Sequence, residues 1–300
     1  MKISKISKID NKNLKLESSL LFDGILVGLA AGIVGASYRL LIGYSEKLVH
    51  YTADFIKTGF IYKIILLAVL ILLALFSGFL LKREPMASGS GIPQVSAEIT
   101  GRLNSNPLRV LIYKITGGLT ASLGGLSLGR EGPSIQLGAM SGKLVSRILK
   151  KDSIKEKYLI TCGASAGLSI AFGAPLAGVL FSIEEVHKQI TKKIVICCFS
   201  AAVVANIVGQ YIFGLTAIFK FPEVPYVEVS IYPWVALLGI LLGIFGTFYN
   251  VTIKILFKIY EFLKLNIVFR PQVAFLISFV LFIFYPIVLG SGHNLVEFLI

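Results

Sequence analysis

Five apolar runs, at 20–44, 61–81, 194–213, 234–257 and 273–289, are each long enough to cross a hydrocarbon core of about 30 Å. A water-soluble domain has no interior large enough for so many. The 300-residue chain is 55% hydrophobic and only 15% charged, with a mean hydropathy of +0.82, as a polytopic membrane protein requires. Shorter apolar pieces near 107–128, 134–149, 156–172 and 174–186 are interrupted by Gly, Pro or charge. They cannot all span alone, and are expected to be half-helices or steeply tilted segments packed within protein. The alternating segments of about 10 residues that mark a β-barrel are missing. The sequence therefore predicts an all-α membrane fold with broken and tilted helices.

The net charge of +13 is carried by loops and flanks rather than by a continuous soluble face, which argues against a nucleic-acid partner. Lys2, Lys5, Lys8, Lys12 and Lys15 outnumber Asp10 and Glu17 before the first apolar run, and no signal-peptide core precedes them. The positive-inside bias places this N-terminus in the cytoplasm, for a multi-pass protein of the plasma (cytoplasmic) membrane. Two further basic loops follow, with Lys143, Arg147, Lys150, Lys151, Lys155 and Lys157 in one and Lys188, Lys192 and Lys193 in the other. All three segments are expected on one side of the bilayer, separated by even numbers of crossings.

Catalytic and metal chemistry find little footing. Cys162, Cys197 and Cys198 lie in apolar segments without metal-ligand spacing and read as buried packing residues. His50, His187 and His293 are scattered, with neither a metalloprotease motif nor paired catalytic carboxylates. The 163–167 segment Gly-Ala-Ser-Ala-Gly matches a nucleophile-elbow pattern, but it lies in a helix-like apolar run. Its small residues read as a close helix-packing face. The expectation is a non-enzyme without metal or cofactor.

The chain also repeats itself. Gly28, Gly32, Gly35 and Tyr38 recur as Gly239, Gly243, Gly246 and Tyr249, and downstream Gly89-Ser90-Gly91 recurs as Gly290-Ser291-Gly292. Repeated halves characterise transporters that hold their substrate near the midplane at the ends of broken helices. The predicted organisation is a cytoplasmic segment over 1–19, a first membrane repeat over 20–217, a loop over 218–230, and the start of a second repeat over 231–300 that is expected to be truncated.

Three segments carry chemistry. In Gly89-Ser90-Gly91-Ile92-Pro93 the glycines expose backbone N–H groups, Ser90 offers a hydroxyl, and Pro93 suits the first turn of a helix. These are the parts of an anion site, although a simple turn between helices would use the same residues. In Gly129-Arg130-Glu131-Gly132-Pro133 two charges stand inside an apolar stretch, where each costs roughly 2.5–3.5 kcal/mol on insertion scales. The bland reading is an ion pair, but neighbours one residue apart on a helix do not face each other, so Arg130 and Glu131 each need another partner. The third is the small-residue run over 171–178, followed by Glu184 and Glu185, which stand either as solvated charges or as functional acids at a helix end where they oppose its dipole.

With GSGIP at 89–93, GREGP at 129–133 and AFGAPLAGVLFSIEE at 171–185 in this order, the chain resembles the CLC family of chloride channels and proton/chloride exchangers. The resemblance implies an inverted-repeat helical fold and a homodimer. It implies that Ser90 contacts chloride through its hydroxyl, with backbone amides around Gly91 and Ile92. Glu131 then resembles the external gating glutamate, and Glu185, beside Glu184, the internal proton-transfer glutamate. Ser90 in the filter suggests chloride over nitrate or fluoride. Gly173 stands where the family commonly has asparagine, a departure expected to alter packing only. The family's second filter segment and pore tyrosine are not found in these 300 residues. The implied function is proton-coupled chloride exchange, with a passive channel and a non-transporting fragment as alternatives.

Overall fold

The computed structural model describes residues 2–56, 59–215, 228–292 and 296, with side chains from 17 to 55 and throughout the later segments. The side chains of the N-terminal lysines, most of the expected 218–230 loop, and all but one residue of 293–300 lie outside this description. Ten α-helices and no strand occur among the described residues.

The first helix, α1 (Lys2–Ile56), runs straight through the expected boundary at residue 19. Its apolar part, Glu17–Phe55, is 39 residues long. At 1.5 Å per residue that is about 58 Å, nearly twice a bilayer core, so it must lie steeply tilted or project from the membrane. It is followed by α2 (Phe60–Arg83), α3 (Ile92–Ile99) and α4 (Pro107–Leu123), then by α5 (Glu131–Ile148), α6 (Ser153–Phe172) and α7 (Pro175–Phe181). The last three are α8 (Lys192–Phe213), α9 (Tyr232–Phe262) and α10 (Arg270–Phe284). The apolar run at 273–289 is not one span. The chain leaves the helix at Tyr285, before Pro286, whose ring disfavours helical backbone at the preceding residue.

Helices α5 and α6 form the centre and touch backbone to backbone. A Cβ added at Gly163 would stand 2.1 Å from the Gly138 carbonyl oxygen, and one at Gly167 2.0 Å from that of Ser134. The 163–167 segment is thus a helix-packing face, the device by which membrane helices gain dispersion energy without a hydrophobic driving force. Cys162, Cys197 and Cys198 are buried in the α6–α8 seam, as expected, but Cys162 and Cys197 are joined as a disulfide rather than serving as packing thiols alone.

Asp23 on α1 pairs with Lys151 at 2.7 Å, and Glu17 with Lys192 at 2.9 Å. These contacts bring the start of the apolar part of α1 together with the two later basic loops, on one end of the bundle.

The sequence repeat is also a backbone repeat. After α2 a 3-10 turn (Pro85–Ala87) leads to Gly89 and Gly91 at φ of +65° and +96°. After α10 a 3-10 turn (Pro286–Val288) leads to Gly290 and Gly292 at φ of +83° and +78°, a region that favours glycine. The surroundings of the two copies differ. A Cβ at Gly28 would meet Ala201 and Val204 of α8, whereas Gly239, Gly243 and Gly246 face nothing within 4 Å. Tyr38 is 4% exposed and Tyr249 64%.

Candidate functional site

The 89–93 loop is shaped by the side chains behind it. Gln136 Nε2 donates to the Met86 carbonyl at 2.7 Å, and Gln94 Nε2 to Ser88 O at 3.0 Å. Lys114 Nζ donates to Ala87 O at 3.1 Å and to Gly89 O at 2.7 Å. Four consecutive carbonyls are therefore held by the protein. A trans peptide carries its N–H opposite its C=O, so the N–H groups of this stretch point the other way. Among the described residues, those of Gly89, Ser90 and Gly91 have no acceptor. The Ile92 N–H makes a long bond of 3.4 Å to the Ser90 hydroxyl, which leaves the hydroxyl proton free to donate elsewhere. Pro93 sits in the first turn of α3, where its missing N–H removes no helical bond.

The 129–133 segment opens α5, which begins at Glu131 with Arg130 as its N-cap. The two charges part company there. Arg130 Nη2 reaches Glu46 Oε2 on α1 at 2.6 Å and lies 3.4 Å from the Ser291 hydroxyl of the second Gly-Ser-Gly loop. The Glu131 side chain folds back over Gly129, whose added Cβ would be 2.6 Å from its Oε2, and is exposed. No ion pair to it occurs among the described residues. Gly132 brings the two motifs into contact: a Cβ there would lie 2.7 Å from Ser90 O and 2.9 Å from Ser90 Cβ. A cavity of about 500 Å³ joins Gly89, Ser90, Glu131, Gly132 and Pro133 to Tyr38 and Lys114, with Phe275 of α10 on its wall. Unpaired donors and an exposed, unpaired carboxylate thus line one space, which suits a small anion and a competing acid.

Glu184 and Glu185 lie elsewhere. Both are exposed in the π-helical turn Ser182–His187 that ends α7, and neither lines the cavity. Such turns occur disproportionately at functional sites. Gly173 ends α6 in the left-handed region at φ +64°, with nothing within 4 Å of an added Cβ. Glycine and asparagine are the two residues that commonly terminate helices this way, so Gly173 suits the backbone conformation of this helix end.

The sequence reading did not single out Lys114, Gln136 or Glu46. A lysine in the apolar 107–128 stretch and a carboxylate on α1 were signals of the kind that flagged Arg130 and Glu131. Gln136 carried none.

The profile of the family described as voltage gated chloride channel matches residues 73–300. The H(+)/Cl(-) exchange transporter ClcA of Vibrio cholerae is 37% identical over 253 residues, covering 80% of this chain and 53% of the relative. ClcA of Klebsiella pneumoniae is 31% identical over 241 residues, covering 79% and 51%. The chain spans about half the length of these curated relatives. Among solved structures, a slow cyanobacterial Cl−/H+ antiporter superposes with a TM-score of 0.80 at 30% identity, over 92% of this chain and 66% of the other. A CLC-type fluoride/proton antiporter shares the fold, with a TM-score of 0.70 at 21% identity, over 90% of this chain and 68% of the other. With the family profile matching most of its length and the helical architecture of a solved antiporter, the chain belongs to the voltage gated chloride channel (CLC) family of integral membrane proteins.

Proposed function

We propose that the chain serves proton-coupled chloride exchange, with chloride held at the 89–93 loop and Glu131 as the gating and coupling acid. The observation that carries this reading is the contact at Gly132, which sets the unpaired N–H groups beside Ser90 and the unpaired Glu131 carboxyl on one cavity. Matched relatives named as H(+)/Cl(-) exchange transporters support it.

The chemistry is competition. Chloride leaving water needs oriented dipoles, and the loop supplies N–H groups and the Ser90 hydroxyl rather than a bare cation that would hold it too tightly. Ionised Glu131 competes for the same donors, and protonated Glu131 gives up its claim. Gly129, Arg130, Gly132 and Pro133 support the gate, with Arg130 anchored on Glu46 rather than on its neighbour. Glu185, with Glu184 beside it, supplies protons from the cytoplasmic end, where the basic loops and the N-terminus lie. The plasma membrane is the proposed location. The partners are chloride, protons and lipid, together with either a second copy of the chain or the segments that the longer relatives carry.

The test is chloride efflux from proteoliposomes with simultaneous recording of external pH. Glu131→Ala should keep chloride passage and lose proton movement, and Glu185→Gln should likewise uncouple. Persistent proton transport in the first variant refutes the role of Glu131. That Glu185 lies off the cavity favours a second reading, a passive chloride channel. Wild-type efflux without proton movement would select it.

A further inference from the structure

Helices α1 and α8 run side by side in parallel, packed through Gly24, Gly28 and Gly32 of α1. At one end Glu17 pairs with Lys192, and at the other the Arg39 guanidinium stacks 4.1 Å from the centroid of the Phe213 ring. Arg39 lies 22 residues beyond Glu17, and Phe213 lies 21 beyond Lys192. Each stretch is about 32 Å of helix, against a hydrocarbon core of about 30 Å. The Arg39–Phe213 contact therefore sits at the headgroup level of the leaflet opposite the basic loops.

The positive charge gathered there is not offset. Among the described residues Arg39 makes neither an ion pair nor a hydrogen bond, and Lys47, about two turns further along α1, meets only the Tyr44 ring, at 5.8 Å. A cavity of about 220 Å³ is lined by Arg39 and Lys47 together with Arg130. Glu46 neutralises Arg130 alone, whose Nε is buried without an acceptor. A second cavity of about 240 Å³ shares Arg39 and Phe213 and adds the side-chain amides of Asn206 and Gln210, which have no hydrogen bond among the described residues. A ring face is a weaker partner than an anion and uses none of the five N–H donors of a guanidinium. The C-terminal end of α8 lends Arg39 a partial negative charge, which accounts neither for Lys47 nor for the open donors.

We propose that Arg39 and Lys47, with the amides of Asn206 and Gln210, bind the phosphate of an anionic phospholipid headgroup at the crevice between α1 and α8. The guanidinium fork matches two phosphate oxygens at once, and the lysine supplies the second charge. What favours a lipid over free phosphate is the surface around the crevice, where Leu40, Tyr44, Tyr211 and Leu215 are exposed. Acyl chains cover such a surface, and tyrosine is enriched at this depth. The site is separate from the cavity of Ser90 and Glu131 and does not depend on what that cavity binds.

The test is the rise in melting temperature of the purified 300-residue chain in detergent micelles as phosphatidylglycerol, phosphatidylcholine or inorganic phosphate is added at constant chloride. The increment over ligand concentration reports affinity. Phosphatidylglycerol should raise the melting temperature, whereas phosphatidylcholine, whose choline offsets its phosphate, and inorganic phosphate, which has no acyl chains, should change it little. The same titration is made with Arg39→Gln, Lys47→Gln and Lys254→Gln, the last an exposed position on α9 that lines neither cavity. Arg39→Gln should weaken apparent affinity for phosphatidylglycerol about tenfold or more and Lys47→Gln about fivefold, the worth of one basic residue near an anionic surface, and Lys254→Gln should weaken it less than about twofold. A merely structural Arg39 would lower the lipid-free melting temperature and leave the increment unmoved, which overturns the proposal. So does an equal loss in all three variants, which marks diffuse attraction, or an equal increment from phosphatidylcholine. Inorganic phosphate matching phosphatidylglycerol would make this an ion site and overturn the assignment to lipid. Should Arg39→Gln fail to fold, Lys47→Gln against Lys254→Gln decides, since both positions are exposed. No flux is read, so failure here leaves chloride exchange standing.

Discussion

Replacing Gly132 by alanine tests whether the contact between the two motifs makes the site. The new Cβ would stand 2.7 Å from Ser90 O, 2.9 Å from Ser90 Cβ and 3.1 Å from Ser90 Cα, where ordinary contact begins at 3.4 Å. The first of these must lengthen by about 0.7 Å. Two of the three atoms are backbone, so no rotamer change relieves the clash. The loop must retreat from the N-terminus of α5, carrying Ser90 and its N–H groups with it. Overpacking of this kind costs about 1–3 kcal/mol, partly offset because alanine is favoured over glycine within helices by about 0.5–1 kcal/mol. A shift of this size at donors that need hydrogen-bond geometry should weaken chloride affinity roughly tenfold or more. The assay is the chloride-dependent melting increment, alongside efflux from proteoliposomes. Gly43→Ala, on α1 with nothing within 4 Å of its added Cβ, serves as control and should leave both unchanged or slightly raise stability. Wild-type chloride affinity and flux in the Gly132 variant would show that the loops need not touch, and the site as described would be wrong.

The partly buried Arg130–Glu46 pair predicts that Glu46→Gln lowers stability by about 1–3 kcal/mol, less than for a fully buried pair, and loosens proton coupling; a variant with unchanged unfolding and flux would sink the anchoring role. Lys143, expected in a basic loop, is instead buried within α5 and pairs with Glu98, which also accepts from Ser105 N at 2.6 Å. Glu98→Gln should therefore cost about 3–5 kcal/mol, and the double variant with Lys143→Met less than the sum of the single changes, as a double-mutant cycle on unfolding free energies can read. Gly163→Leu should separate α5 from α6 and abolish a monodisperse fold, because its Cβ would meet the Gly138 carbonyl; a normal gel-filtration profile and melt would contradict the packing. Cysteines introduced by Lys155→Cys and Ile190→Cys should both react with an impermeant thiol reagent from the same side of sealed vesicles. Labelling from opposite sides would overturn the arrangement of the basic loops.

How much of this was legible in the sequence depended on the range of the interactions involved. The apolar runs announced the helices because hydropathy is local, and the Gly-Ser-Gly copies announced the repeat because glycine marks the positive φ that both loops adopt. Gly163-Ala164-Ser165-Ala166-Gly167 could be read as a packing face because close approach demands small side chains. The Val273–Leu289 window misled, since composition alone registers no break and the helix ends before Pro286. The partner of Arg130 was beyond reach in the sequence: Glu46 lies 84 residues away on α1. Local geometry excluded Glu131 as that partner but could not name the replacement.

By itself the sequence determined that the chain enters a membrane as helices, repeats a glycine loop, and keeps charge where lipid would expel it. Those follow from transfer free energies and backbone sterics, which act residue by residue. Only the tertiary structure decided that the Ser90 loop and Glu131 meet at Gly132, that Lys114, Gln94 and Gln136 hold the four carbonyls of 86–89, and that Glu185 stands apart from the cavity. These are distances between segments far apart along the chain. They are set by which helices can approach backbone to backbone, and by where a buried charge finds its partner.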